Sequence, residues 1–247
     1  MLKCGSILGI GMPDMKMIKD AAIGWDKKGI RGIPVRTIPG SPPNASTSLL
    51  AEKLNIRGTT FTTSAACASS SHAIISACME IATGNHDLII TGGSFSSVCP
   101  FGLSSFHTTG ALYRGDFPAQ KASRPFDLDR LGFVMSEGAA TLILENYEKA
   151  LERKAKIFGE IVGFGATSDG HHLTTPEPEG TFQAEAMKKA FQMAKVDPSE
   201  VIHVNAHATS TKVGDISEIR AIKKAFGPAA KNVVISANKS SIGHTMS

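Results

Sequence analysis

Short apolar runs alternate along the chain with segments whose apolar residues recur every three or four positions. The first pattern is typical of buried strands and the second of amphipathic helices. The expected strands are residues 5–10, 59–64, 87–91, 139–145, 157–166, 201–205 and 233–236. The expected helices are residues 14–27, 45–54, 67–83, 146–154, 182–194 and 216–226. Because strands and helices alternate, we predict an α/β fold.

Local signals add detail to these elements. The apolar positions of the first helix share one face. That face consists of Met15, Ile18, Ala22 and Trp25. Asn44 is expected to cap the helix that follows it, and the pair Gly92 and Gly93 is expected to end the strand before it. Residues 102–138 are polar and are predicted to be irregular.

The composition is that of a globular protein with a substantial core. Of 247 residues, 42% are hydrophobic and 19% are charged, a balance that excludes a disordered or collagen-like chain. No apolar run approaches the roughly 18 residues that span a membrane, and the N-terminus shows no secretory signal. The net charge of +4 is too small and too dispersed to indicate nucleic-acid binding. We therefore expect neither a membrane nor nucleic acid as a partner.

Cysteine and glycine spacings exclude further classes. The four cysteines form no Cys-x-x-Cys pair, which argues against a disulfide framework and a cysteine-rich zinc site. Residues 9–14 lack the third glycine of a dinucleotide-binding fingerprint, because Asp14 stands at its position. A reducing, cytosolic compartment fits this use of cysteine.

One cysteine lies at a strand-to-helix junction. Cys67 follows the predicted strand 59–64 and is surrounded by alanine and serine, which are too small to cover it. Unpaired N–H groups at a helix N-terminus favour an anion, and a thiol there can have a pKa well below its free value of about 8.5. A nucleophilic thiolate is one interpretation and a small buried filler is the other. Position alone leaves both open.

A second candidate loop, residues 205–215, follows the strand before it. It carries His207 with three hydroxyl residues after it, and catalytic groups often lie on loops that leave strand ends. Asp215 and Glu218 stand three residues apart ahead of an apolar helix, which is the pattern of a capping box. We predict a site role for His207 and a helix-capping role for the two carboxylates.

A third loop, residues 238–244, contains Lys239 and His244 five residues apart. Together with Cys67 and His207, it gives one thiol and two imidazoles on three strand-to-loop junctions. This combination suits thioester chemistry, because a thiolate can hold an acyl group covalently. Neutral imidazoles can donate hydrogen bonds to a developing enolate oxygen.

These three segments resemble the β-ketoacyl-acyl-carrier-protein synthases of the elongating type, which use a Cys-His-His triad. The block Ser-Arg-Pro-Phe-Asp at residues 123–127, with the Gly-Phe-Val and Glu-Gly-Ala that follow it, is similar to a block of that family. The Ser-Asp-Gly-His-His-Leu-Thr loop at residues 168–174 is similar to the family's pantetheine-tunnel loop. The matches keep the family's order from about Cys4 to Ser247, which is essentially the whole chain.

The resemblance implies a role for each matching residue. Cys67 would be the acylated nucleophile, and His207 and His244 would hold the malonyl thioester oxygen during decarboxylation. Lys239 would organise the site, and Glu218 matches a family glutamate near that lysine. The implied contacts to the phosphopantetheine arm are Thr174, Thr209, Thr211 and His172.

The implied reaction is ping-pong and belongs to fatty-acid elongation. An acyl group moves to Cys67 and then condenses with malonyl-acyl-carrier protein, which releases carbon dioxide and a 3-ketoacyl product. Because decarboxylation generates the carbanion, no cofactor and no metal are expected. The partners would be acyl carrier protein and, at full length, a second copy in a homodimer. The location would be the cytoplasm, or an organelle stroma or matrix.

The implied fold is the thiolase fold, a layered α-β-α-β-α arrangement of two similar halves. Residues 1–154 would form the N-terminal half without its first elements, and residues 155–247 would begin the C-terminal half. Family members are longer at both ends, and here the chain ends within the motif that contains His244. We therefore expect a fragment of a longer protein.

Three other functions compete with this one. A ketosynthase of a polyketide synthase would share the chemistry and differ in its substrates. A non-catalytic partner subunit is disfavoured, because such subunits of the family lack the cysteine found here at Cys67. A Cys-His protease would leave His244 and Lys239 unexplained.

Overall fold

A computed structural model describes residues 3–247 and divides into two compact units. Unit 1 comprises the chain through Ser105, Met135–Glu160 and Thr245–Ser247. Unit 2 comprises Phe106–Val134 and Ile161–His244. The first two residues of the predicted N-terminal half lie outside the described residues.

Helices and strands alternate along the chain. The strands are β1 (Cys4–Gly9), β2 (Thr60–Thr63), β3 (Leu88–Phe95), β4 (Gly138–Glu145), β5 (His203–Asn205) and β6 (Val234–Ser236). The α-helices are α1 (Met15–Lys28), α2 (Thr37–Gly40), α3 (Ala45–Leu54), α4 (Ser69–Ala82), α5 (Pro100–Thr108), α6 (Tyr147–Glu152), α7 (Thr181–Ala194), α8 (Lys212–Phe226) and α9 (Lys239–Ile242). The α/β prediction is confirmed. In the described part of the chain, no helix is both long and apolar enough to cross a bilayer.

Unit 1 is built on a four-stranded sheet in the order β2-β1-β3-β4. β1 pairs in parallel with β2 and with β3, and β4 runs antiparallel to β3. Ala73 and Ala77 lie four residues apart on one face of α4 and pack with Ile7 and Ile89 of the strands. All four residues are fully buried and form the core of this unit.

Two glycines let the first turn of α4 approach the strand ends. A Cβ atom on Gly9 would lie 2.2 Å from the backbone of Ser69, and one on Gly93 would lie 2.1 Å from the hydroxyl of Ser70. A side chain at Gly9 would require the helix backbone to move, and one at Gly93 would displace the Ser70 hydroxyl and lie 2.6 Å from the carbonyl oxygen of Gly9. The close approach fixes the junction that carries Cys67 against the carboxyl ends of β1 and β3.

Unit 2 contains the parallel pair β5 and β6 together with α7 and α8. Its apolar core consists of Ala184, Ala221, Ile222, Ala225 and Phe226. Phe191 of α7 meets Phe226 of α8 edge to face, with ring centroids 5.1 Å apart. Because β5 and β6 are parallel, the loops that follow them leave the same edge of the pair. These loops carry the two candidate histidines.

Most predicted elements are confirmed with small shifts of their ends, but three predictions are wrong. Residues 157–166 form no strand, because no backbone among residues 3–247 pairs with them. α5 lies in the segment predicted to be irregular. β3 continues through Gly92, where a Cβ atom would lie 2.1 Å from the carbonyl oxygen of Ala140 in β4. The glycine serves close strand packing there and does not end the strand.

The apolar face of α1 is largely exposed. Ile18 and Trp25 are 41% and 55% exposed, and the buried residue of the helix is Ala21. The side chain of Asn44 accepts no hydrogen bond from α3, because the backbone of Asn44 is already helical, whereas a capping residue is extended. Asp14, which is extended, caps α1 by accepting a backbone N–H at 2.8 Å.

Candidate active site

Cys67 lies in unit 1, between the end of β2 and the N-cap of α4 at Ala68. The residue is half-buried. Ala66 before it has a φ of +48°, in the left-handed region that residues other than glycine rarely adopt. The chain therefore makes a tight elbow beside the thiol and continues directly into a helix of 14 residues.

Hydrogen bonds of Ser69 hold this elbow. Its hydroxyl accepts the N–H of Ala65 at 2.9 Å and donates to the carbonyl of Ala66 at 2.6 Å. Ser69 is fully buried, and its carbonyl accepts the hydroxyl of Thr63 at 2.8 Å. These bonds keep Cys67 at a helix N-terminus, where the helix dipole favours an anion.

His207 and His244 meet in unit 2. Their ring planes are 87° apart and their ring centroids are separated by 5.3 Å. Phe133 packs edge to face on His244, with ring centroids 5.4 Å apart. The backbone N–H of His244 donates to the carbonyl of Val134 at 2.7 Å. His244 is 4% exposed. The structure thus brings together two imidazoles that the sequence placed on separate loops.

Both imidazoles are neutral at physiological pH. The pKa of His244 is lowered to about 3, mainly by burial and to a smaller extent by the charges of His207 and Lys239. The accessible surface of His207 is that of an exposed residue, but the protein atoms around its ring reduce its hydration. The pKa of His207 is lowered to about 4, mainly by this desolvation and to a smaller extent by the charge of Lys239. Each neutral ring keeps one N–H that can donate to an oxyanion.

Glu218 of α8 fixes the loop that carries His207. Its two carboxylate oxygens accept the backbone N–H groups of His207 at 2.6 Å and Ala208 at 2.8 Å. Ala208 has a φ of +41°, so these bonds hold a strained backbone. Burial raises the pKa of Glu218, and its two N–H partners oppose that rise. The predicted capping box is wrong, because α8 is capped at Thr211 and Glu218 lies inside the helix.

Asp215 is likewise inside α8, because the helix begins three residues earlier. Its carboxylate accepts the N–H groups of Phe126 at 2.7 Å and Ser210 at 3.1 Å, and lies 3.4 Å from Nε of Arg130. The residue is 1% exposed, and burial raises the pKa of its carboxyl. Its role is therefore to join distant backbone segments and not to cap the helix.

Four more residues surround the imidazoles: Lys239, which the sequence predicted, and three residues for which it predicted no role. Lys239 begins α9, and its charge acts on His207, on His244 and on Glu218. The residues that sequence reasoning left without a role are Ser123, Arg130 and Phe133. Their signal in the sequence is the block at residues 123–134, which resembles a family block but suggests no chemistry by itself.

The four hydroxyl and imidazole side chains predicted to bind pantetheine fall into two groups. Thr209 and Thr211 follow His207, with their hydroxyl oxygens 3.0 Å apart. His172 and Thr174 lie on an exposed turn, where Nδ1 of His172 accepts the N–H of Thr174 at 3.1 Å. The pantetheine role of all four stays a prediction.

The depressed pKa values predict that acid destabilises the chain. Unfolded imidazoles titrate at about pH 6.5, whereas those of His207 and His244 titrate at about 4 and about 3 when folded. Between these values the unfolded state binds protons that the folded state excludes, so stability falls as pH falls. Asp215 and Glu218, whose pKa values are raised, act in the opposite direction on this slope. Melting temperatures recorded from about pH 7 to about pH 5 measure the effect.

A variant pair assigns the slope to the imidazoles. His244→Gln should melt with a weaker dependence on pH, because it removes one excluded proton. His107→Gln, at an exposed position of α5, should leave the dependence unchanged. An equal slope in wild type and His244→Gln would contradict the assignment.

Sequence profiles of two protein domains cover nearly all of the chain. The profile described as "Beta-ketoacyl synthase, N-terminal domain" matches residues 2–150, and that described as "Beta-ketoacyl synthase, C-terminal domain" matches residues 158–247. The chain belongs to the β-ketoacyl synthase family. The resemblance carried by the segments around Cys67, His207 and His244 is confirmed.

Curated relatives of this β-ketoacyl synthase chain come from plants and bacteria. The 3-oxoacyl-(acyl-carrier-protein) synthase I, chloroplastic, of Arabidopsis thaliana is 38% identical over 244 residues, which are 99% of this chain and 51% of the relative. The 3-oxoacyl-(acyl-carrier-protein) synthase 2 of Vibrio cholerae serotype O1 is 37% identical over 245 residues, which are 99% of this chain and 59% of the relative. The chain thus spans between half and three fifths of their length.

Solved structures give the same family. A β-ketoacyl synthase from Burkholderia phymatum has a TM-score of 0.89 and 35% identity, over 99% of this chain and 58% of that one. A second structure is described as a type II polyketide synthase acyl-carrier protein in complex with its ketosynthase. It has a TM-score of 0.93 and 29% identity, over 99% of this chain and 61% of that one. The predicted thiolase fold, the fold of ketosynthases, is confirmed.

Proposed function

We propose that this chain provides the condensing site of a 3-oxoacyl-acyl-carrier-protein synthase in fatty-acid elongation. An acyl group held on Cys67 condenses with malonyl-acyl-carrier protein to give 3-ketoacyl-acyl-carrier protein and carbon dioxide. The observation that carries the proposal is the pair of neutral imidazoles, His207 and His244, 5.3 Å apart and under the charge of Lys239.

In the first half-reaction, the thiolate of Cys67 attacks the thioester carbonyl of an acyl-carrier protein. A bond forms between the carbonyl carbon and the cysteine sulfur, and the bond to the phosphopantetheine sulfur breaks. That sulfur leaves as a thiolate and takes up a proton. The elbow held by Ser69 supports this role, because it keeps the thiol at the N-terminus of α4.

In the second half-reaction, a malonyl thioester loses its carboxylate as carbon dioxide. The electron pair of the broken carbon–carbon bond forms an enolate, whose oxygen accepts hydrogen bonds from His207 and His244. The enolate carbon attacks the acyl carbonyl on Cys67, and the cysteine sulfur leaves as a thiolate. Neutral imidazoles suit this step, since they donate hydrogen bonds without holding an acidic proton that would quench the enolate.

The supporting residues have separate tasks in this proposal. Glu218 orients the loop of His207 through two backbone bonds, and Asp215 anchors the same loop at Ser210. Burial keeps both imidazoles neutral, and the positive charge of Lys239 adds to this effect. The phosphopantetheine arm would bind along Thr174, Thr209, Thr211 and His172.

We also propose the remaining features of the whole protein. Its partner would be acyl carrier protein, a proposal supported by the names of the relatives and by the ketosynthase structure described with its carrier. The protein would form a homodimer, and the boundary between its two halves would lie near residue 154 of the sequence. A cytoplasmic or stromal location is consistent with relatives from bacteria and from a chloroplast.

A polyketide ketosynthase is the second candidate. One observation favours it: the TM-score of 0.93 belongs to a polyketide ketosynthase complex, although its identity is 29% against 37–38% for the fatty-acid relatives. The two candidates share the condensation and differ in the acceptor. A fatty-acid enzyme extends saturated acyl chains, whereas a polyketide enzyme extends chains that retain their ketones.

Product analysis tests the proposal. The full-length natural polypeptide that contains these residues is incubated with acyl-acyl-carrier protein and malonyl-acyl-carrier protein, and the carriers are examined by mass spectrometry. We expect a 3-ketoacyl product two carbons longer than the acyl substrate, together with one carbon dioxide per product. A protein that folds, as judged by its circular dichroism, but yields neither product nor carbon dioxide would contradict the proposed function.

A further inference from the structure

An irregular strap, residues 123–134, connects the loops of the imidazole site in unit 2. At its start, the hydroxyl of Ser123 donates to the carbonyl of Lys239 at 2.6 Å. At its end, the carbonyl of Val134 accepts the N–H of His244 at 2.7 Å. The strap therefore holds Lys239 and His244 from its two ends.

Two backbone N–H groups of the strap hold the loop that carries His207. The N–H of Arg124 donates to the hydroxyl of Ser210 at 3.1 Å, and the N–H of Gly132 donates to the carbonyl of Ser210 at 3.0 Å. Ser210 is fully buried and lies three residues after His207. The strap thus contacts each of the three segments from which the proposed oxyanion donors and their lysine come.

Arg130 is the charged anchor of the strap. It is 8% exposed, and its Nη1 donates to the carbonyl of Asp127 at 2.7 Å, within the strap. Its Nε donates to the carbonyl of Thr211 at 3.0 Å, and its Nη2 donates to the carbonyl of Lys212 at 2.6 Å. The guanidinium also faces the carboxylate of Asp215. One planar group therefore binds the strap, the end of the His207 loop and the first turn of α8.

These contacts hold three residues in a strained backbone conformation. Phe126 in the strap and Ala208 and Ser210 in the loop have φ values of +66°, +41° and +68°. Residues other than glycine stay in this region only where the surroundings fix them. Removing the guanidinium would leave the Asp215 carboxylate buried without its cation and would let these strained residues relax.

We propose that Arg130 is a positioning residue for the condensation, acting through Thr211 and Asp215 to hold His207 opposite His244. The inference rests on the proposed function for its chemistry and on the contacts of unit 2 for its geometry. Arg130 touches no reacting atom. Its effect should therefore fall on the step that needs both imidazoles and not on the acylation of Cys67.

The test compares Arg130→Met and Arg130→Lys with wild type in the full-length polypeptide. Methionine keeps much of the side-chain length without its donors, and lysine keeps the charge without the planar fork. We expect malonyl decarboxylation to fall roughly 10-fold to 100-fold, as for a misplacement of about 1 Å, with the lysine variant less affected. The rate of Cys67 acylation should stay within about twofold of the wild-type rate. Arg130→Lys carries the test if the methionine variant does not fold.

The matched control is Arg220→Lys. Arg220 lies on the same helix as Asp215, but it is half exposed and pairs with Glu179 at the surface. It should change neither step. Equal losses of acylation and decarboxylation in the Arg130 variants would indicate general damage to the fold and would overturn the positioning role, as would no loss in either step.

A readout that needs no activity separates this inference from the proposed function. The pKa of His207, followed by the NMR shifts of its ring, should rise from about 4 toward its ordinary value of about 6.5 in Arg130→Lys and stay low in Arg220→Lys. If wild type makes no product but this rise occurs, the proposed function fails and the positioning role stands. If product forms and the Arg130 variants keep both the low pKa and the decarboxylation rate, the positioning role fails and the function stands.

Discussion

Replacing Cys67 by alanine is expected to abolish acyl-enzyme formation and to lower condensation by at least about 10³-fold. The size follows from the loss of a covalent nucleophile, for which binding and oxyanion stabilisation give little compensation. Incubation with an acyl-acyl-carrier protein, followed by intact-mass measurement and peptide mapping, should give one adduct in wild type and none in the variant. Malonyl decarboxylation should persist in Cys67→Ala, because His207 and His244 remain.

Cys78→Ala is the matched control for this prediction. Cys78 lies on α4, the helix that follows Cys67, but burial raises the pKa of its thiol, which keeps it protonated and unreactive. Its replacement should leave the adduct unchanged. An adduct that survives in Cys67→Ala, or labelling spread evenly over several cysteines, would show that Cys67 is not the nucleophile.

The elements that the sequence predicted correctly are those whose signal is local. α4 has its apolar residues at helical spacing and a glycine after its end, and both features lie within the segment itself. Whether a face is covered is a different question, which explains why Trp25 is exposed although it shares a side of α1 with other apolar residues. A strand depends on two segments, so an apolar run such as residues 157–166 does not become a strand without a paired neighbour.

The same distinction applies to the site. His207 and His244 could be predicted because each follows a strand in a loop of small and hydroxyl residues. The task of Asp215 could not, because a helix cap and a carboxylate that binds a distant loop have the same local sequence. Its partner Phe126 lies 89 residues away along the chain. Only the fold shows that this carboxylate receives N–H groups from outside its own helix.

Replacing His207 or His244 by alanine is expected to lower malonyl decarboxylation by about 10²-fold to 10³-fold each, the cost of one oxyanion donor. Acylation of Cys67 should change much less, because the thiolate is formed at the N-terminus of α4. In wild type, the decarboxylation rate should stay level from about pH 8 to about pH 5, since the two rings protonate at about 4 and about 3. Carbon dioxide release and adduct mass, measured on the same samples, separate the two steps.

Glutamine variants test whether the N–H group is what matters. His207→Gln and His244→Gln keep a side-chain donor that does not titrate, so each should recover part of the rate lost by its alanine variant. His107→Ala, at an exposed position, should match wild type. If glutamine is no better than alanine and the rate follows a group with a pKa near about 6.5, the imidazoles act as acids or bases and not as neutral donors. That outcome would change the mechanism while leaving the two histidines in the site, because their edge-to-face contact is independent of the step they serve.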